Sequence, residues 1–181
     1  MKRLLKALTT LSVLVLLVVL SSCDSNKFYD QWVEAGAAIE EEHIFEYIEL
    51  DQVKTKMDAR ENFVVIYGSY ENASTVSIVS SFQAQYDYLC TKGEEFVIYV
   101  VDSTEITSFE GAKNATEALG LREEVSKDGS PVIVTYKNGV PEFESNWIDK
   151  HQTQEFVFSG NSIDYSSLCS YIFRELLVKA E

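Results

Sequence analysis

The sequence predicts an α/β domain: a mixed central sheet with helices on both faces, closed by a β-hairpin and a last helix. Three observations predict it. Two short runs, "NFVVIYG" at 62–68 and "EEFVIYVVD" at 94–102, are rich in β-branched and aromatic residues and nearly continuous in apolar character, as strands covered on both faces are. Between them, "STVSIVSSFQAQYDYLC" changes to helical spacing, with Val76, Val79, Phe82, Tyr86 and Leu89 or Cys90 on one stripe. Pro131 then opens a third β-rich run containing Asn138-Gly139, two positions that tolerate positive φ and so make a two-residue hairpin turn.

In chain order, "MKRLLKALTTLSVLVLLVVLSSC" reads as targeting rather than fold. Lys2, Arg3 and Lys6 precede an apolar run, and Leu20-Ser21-Ser22-Cys23 resembles the bacterial lipobox, which implies cleavage before Cys23 and a diacylglycerol on its thiol. Residues 1–22 are therefore assigned to the signal and 23–42 to the lipidated cysteine and a tether that turns mildly helical near its end. The domain is taken as 43–181. "HIFEYIEL" alternates as a first strand, and Asp51 stands where an N-cap would, before a helix with Val53 and Met57 on one face. The 62–68 run should be the middle of the sheet. Residues 108–119 read as a short helix stopped by Gly120. "DKHQTQEFVFSGNS" is either a loop or an added strand, and Leu168, Ile172 and Leu176, beside Cys169 and Phe173, line a final helix. The resulting order is β-α-β-α-β-α-β-β-α.

The chain carries 15 basic and 29 acidic residues, a formal charge of −14. The signal holds three of the basic residues and none of the acidic ones, so its removal takes the charge to −17. So acidic a surface repels phosphate backbones and anionic headgroups, which argues against nucleic-acid binding and electrostatic membrane docking. Membrane attachment then falls to the lipid, and two or three acyl chains hold durably where one does not. The expected location is the outer face of a bacterial cell membrane. His43 and His151 lack ligand-like neighbours and read as surface histidines, and no spacing suggests a metal or a cofactor.

The element order is that of the thioredoxin fold, and three segments carry a closer resemblance over roughly residues 43–180. "NFVVIYGSYENASTVSIV" resembles the strand, turn and helix that bear the thioredoxin redox centre. "LGLREEVSKDGSPVIVTYKNGV" is similar to the segment from the cis-proline strand to the "FKNG" hairpin. "IELDQVKTKMDARENFVVIYG" is similar to the lead-in of small thioredoxin-like proteins described as bacteriocin transport accessory proteins. The resemblance lays Tyr70 over the motif tryptophan, Glu71, Asn72, Ala73 and Ser74 over the four positions of the Cys-x-x-Cys motif, and Val65 over the buried aspartate. No cysteine lies between residues 24 and 89. Dithiol exchange needs a thiolate lowered by the helix start and a second thiol to resolve the mixed disulfide, so it is not expected here.

What the resemblance leaves is a groove. In the family the backbone before the cis-proline pairs with an extended peptide, which here implicates Ser130 and Pro131 facing the Tyr70–Ser74 turn. Two readings of that turn stay open: Tyr70 as an aromatic wall with Glu71, Asn72 or Ser74 at a ligand, or Tyr70 as a surface ring with Asn72 or Ser74 as a helix cap. Cys90 and Cys169 are likewise open between a structural disulfide and two buried thiols. The function expected is a lipid-anchored binding or accessory module with a protein or peptide partner and no dithiol chemistry. The alternatives are a thiol-disulfide oxidoreductase using Cys90 or Cys169 unconventionally and a structural spacer.

Overall fold

The protein is an α/β structure built on a mixed five-stranded sheet, in a computed structural model that describes residues 27–89, 97–106, 109–121, 125, 131–144, 158–159, 162–163, 169 and 172. The elements are a helix over residues 27–34 (α1), β1 (Phe45–Tyr47), α2 (Leu50–Asp58), β2 (Phe63–Gly68), α3 (Ala73–Leu89), β3 (Ile98–Asp102), a 3-10 turn (Ser103–Glu105), α4 (Phe109–Leu119), β4 (Val132–Lys137) and β5 (Val140–Glu144). The strand order is β1-β3-β2-β4-β5. β1, β3 and β2 run parallel, β4 is antiparallel to β2, and β5 is antiparallel to β4. The expected centre of the sheet is the centre: β2 is buried along its whole length.

Strand alternation divides the core. Val64, Ile66, Val100 and Ile133 face α1 and α3, where Val76, Ile78, Val79 and Phe82 pack, while Phe63, Val65, Tyr67 and Val134 face Val53 of α2 and Ala112, Ala115 and Leu119 of α4. Cys169 and Ile172 are buried on the α3 side of the sheet, and the rest of the expected last helix lies outside the described residues. The turn Asn138-Gly139 has φ of 52° and 74°, the geometry the dipeptide predicts, and Gly120 ends α4 at φ 67°. A short antiparallel ladder, β6 (Phe158–Ser159) with β7 (Ser162–Ile163), settles part of the stretch left open between loop and strand. No helix among the described residues is long and apolar enough to cross a membrane. The signal residues, Cys23, Cys90, Ser130 and His151 lie outside the described residues.

Three expectations are corrected. The stretch expected as a tether over 23–42 is part of the core from Phe28 on, because Phe28 and Trp32 of α1 have no exposed surface and Ala37 and Ile39 are buried with them. The segment reads as polar from its ends, yet Phe28 and Trp32 sit four residues apart on one helix face, which the sheet covers. Second, α2 begins earlier than an Asp51 cap would allow. Glu49 is its N-cap, Gln52 Oε1 accepts the Glu49 N–H at 2.8 Å, and Asp51 sits in the first turn, where a carboxylate complements the helix dipole. Third, His43 is no plain surface histidine. Its Nδ1 accepts the Phe45 N–H at 3.2 Å and its ring lies 5.0 Å from that of Phe28.

Candidate functional site

The three parallel strands end on one edge, at Tyr47, Gly68 and Asp102, and chain segments leaving such an edge of an α/β sheet carry most ligand sites. β4 enters at the same edge. Its first pair is Val132 with Tyr67, so Pro131, one step further, lies beside the Gly68 exit of β2. Pro131 thus stands at the sheet edge from which the chain leaves β2 for the Tyr70–Ser74 turn.

The turn itself is built from its own hydrogen bonds. Ser69, nearly fully buried, accepts the Glu71 N–H on its Oγ at 3.1 Å and the Asn72 N–H on its carbonyl at 3.1 Å. Asn72 Oδ1 accepts the Ser74 N–H at 2.9 Å and the Thr75 N–H at 3.3 Å. Asn72 is thus the N-cap of α3, a role worth about 1 kcal/mol. Two amides that would face a thiolate or anion at a helix start are turned to a side chain of the chain itself. Ser74 and Glu71 are exposed, and Tyr70 is half-buried, packed on the core with its ring edge-on to Trp32 at 6.3 Å. Val65, three residues before the end of β2 and on its α2–α4 face, has no exposed surface and pairs with Tyr99 on β3 and Val134 on β4. The nearby polar feature is a hydrogen bond of 2.8 Å between the hydroxyls of Tyr67 and Tyr136, both buried.

No protein-family model matches this chain, and no curated protein matches it. What the edge can do must therefore be read from its own residues.

Sequence reasoning missed half of this edge. A cavity of about 460 Å³ opens at the ends of β1 and β3, with Lys27, Gln31, Tyr47, Glu49, Gln52 and Asp102 among its walls. At its back the Trp32 Nε1–H donates to the Tyr47 hydroxyl at 2.9 Å, and that hydroxyl donates to Gln31 Oε1 at 3.2 Å. Asp102 Oδ1 accepts from the Thr104 N–H at 2.9 Å and its hydroxyl at 2.7 Å, which fixes the carboxylate at the rim. The wall residues come from α1, the β1–α2 junction and the end of β3. The Phe28/Trp32 spacing was the one signal in the sequence that pointed to them.

Tyr47 gives this wall a pH dependence. Burial pushes its pKa up to about 12; the Trp32 N–H works against the rise, and the Asp102 carboxylate adds to it. The folded chain then keeps a proton that the unfolded chain, titrating near 10, has lost. The tyrosine's contribution is fully present below about pH 10 and is lost as pH rises towards about 12. Alkaline unfolding should steepen in that window, and Tyr47→Phe should remove the extra slope, as urea midpoints between pH 8 and pH 12 would show.

Proposed function

We propose that the protein is a thioredoxin-like binding or accessory module, anchored by lipid on Cys23 at the outer face of a bacterial membrane, that receives an extended segment of a protein partner without dithiol chemistry. The reading rests above all on the α3 start: Asn72 occupies the amides at the position the resemblance gives the motif, and Val65, laid over the family's buried aspartate, is apolar and fully buried. The described alternation of strands and helices from β1 to the β4–β5 hairpin is compatible with the order the resemblance implies. The groove proposed lies between the Tyr70–Ser74 turn and the β4 entrance at Pro131, with Ser130 assigned to it by the resemblance alone.

The test is crosslinking and pull-down of the lipoprotein from its native membrane. A partner captured by the wild type should be reduced about tenfold or more by Tyr70→Ala combined with Ser130→Pro, with folding checked by thermal melt. Undiminished capture would reduce the domain to a spacer. Cys23→Ser should move the chain out of the membrane fraction. Insulin reduction that disappears on Cys90→Ser or Cys169→Ser would instead establish the oxidoreductase reading.

A further inference from the structure

The cavity at the ends of β1 and β3 is separate from the groove, and its charges are arranged unlike those of the rest of the surface. Elsewhere the described lysines sit beside carboxylates: Lys54 with Asp51, Lys56 with Glu61, Lys113 with Glu117 and Lys137 with Glu142. Around the cavity one ammonium, Lys27, and two carboxylates, Glu49 and Asp102, share the wall, yet among the described residues none of the three makes an ion pair. Charges of both signs held apart around one space fit a ligand that carries both signs itself. The volume, about 460 Å³, is in the range of small-molecule sites.

Position narrows the ligand further, given the anchor on Cys23 proposed above. Lys27 is four residues beyond Cys23 in the sequence. Even a fully extended chain then holds the Lys27 Cα within about 14 Å of the lipidated residue. Phe28, the next residue, is fully buried in the domain, so the body cannot swing away from this limit. With that anchor, Lys27 of the cavity wall stays within this distance of the lipidated residue, whereas the Asn138-Gly139 turn lies at the opposite end of the sheet.

We propose that this cavity binds a zwitterionic phospholipid headgroup bearing a primary ammonium, with the phosphate at Lys27 and the ammonium at Glu49 and Asp102. A purely anionic headgroup would face two carboxylates and one lysine on a domain of charge −17. A quaternary ammonium has no N–H for the carboxylates and is held best by several aromatic faces, and among the described wall residues Tyr47 is the single aromatic. A primary ammonium donates to both carboxylates and to the side-chain oxygens beside them.

The experiment uses the full lipidated chain in neutral detergent, titrated calorimetrically with phosphoethanolamine. Saturable binding is expected, weakened about tenfold or more by Lys27→Gln and by Asp102→Asn, the latter keeping an Oδ1 acceptor for Thr104. Glu49→Gln provides a second carboxylate variant, and phosphocholine and inorganic phosphate should each bind at least tenfold more weakly. In phosphatidylcholine vesicles doped with a photoreactive phosphatidylethanolamine, the reconstituted chain should be labelled within residues 27–52. Absence of saturable heat, or binding that these variants leave unchanged, would overturn the site. Binding of soluble phosphoethanolamine without labelling from vesicles would overturn the lipid as its source. The mass of the Cys23 peptide reports the anchor independently, so a missing lipid would overturn the anchor reading without being mistaken for an empty cavity.

Discussion

Gly139→Ala should destabilise the chain by about 2–4 kcal/mol, the sum of a left-handed backbone penalty and a steric collision. Gly139 has φ of 74°, where an L residue is strained. A Cβ at this position would overlap the backbone carbonyl of Met57, the end of α2, so the strain cannot be relieved by a side-chain rotation. The turn is also tied down: the Gly139 N–H donates to the Glu61 carbonyl at 3.0 Å and the Asn138 N–H to Asn62 Oδ1 at 2.8 Å. Moving the tip away from Met57 would break both bonds. Urea unfolding should show a lower midpoint at unchanged slope. Asn138→Gly, which relaxes φ of 52° without adding an atom, should stay within about 1 kcal/mol of wild type. If Gly139→Ala proves equally mild, the docking of the hairpin on the α2–β2 junction is wrong.

The hairpin shows how far the sequence reached. Asn-Gly specifies its own backbone, so the turn was legible from two residues, and β2 was legible because six consecutive buried residues leave a run that helical spacing does not produce. That the turn rests on Met57, about eighty residues earlier, was not legible, because a glycine chosen for φ and one chosen for close approach look alike in sequence. The site divides in the same way. The absent cysteines, Val65 and the cap at Asn72 are local features, and the sequence exposed them, although it left the cap undecided between Asn72 and Ser74 until the hydrogen bonds chose Asn72. The cavity assembles Lys27, Tyr47 and Asp102 from three distant segments, and none of them belongs to a motif.

α1 is the largest revision, and Trp32→Ala tests it. Had residues 23–42 been a solvated tether, the substitution would change stability by less than about 0.5 kcal/mol. In the structure Trp32 has no exposed surface, stacks on Phe28 at 5.0 Å with 14° between the rings, meets Tyr70 edge-on and donates to the Tyr47 hydroxyl. Truncation removes the largest fully buried side chain among the described residues, for which about 3–5 kcal/mol is expected, and it takes away the donor that orients Tyr47. Trp32→Phe keeps an aromatic ring against Phe28 and loses the N–H, so it should cost less, about 1–3 kcal/mol. The two variants therefore separate packing from the hydrogen bond. Because α1 supplies Lys27 and Gln31 to the cavity and packs beneath Tyr70, Trp32→Ala should also weaken phosphoethanolamine binding, measured well below the unfolding temperature. Trp32→Phe should leave that binding within about threefold of wild type, since the helix stays docked and the charged wall stays in place. A loss of stability below about 1 kcal/mol in Trp32→Ala would return α1 to the tether, and with it the argument that the cavity is held at the membrane surface.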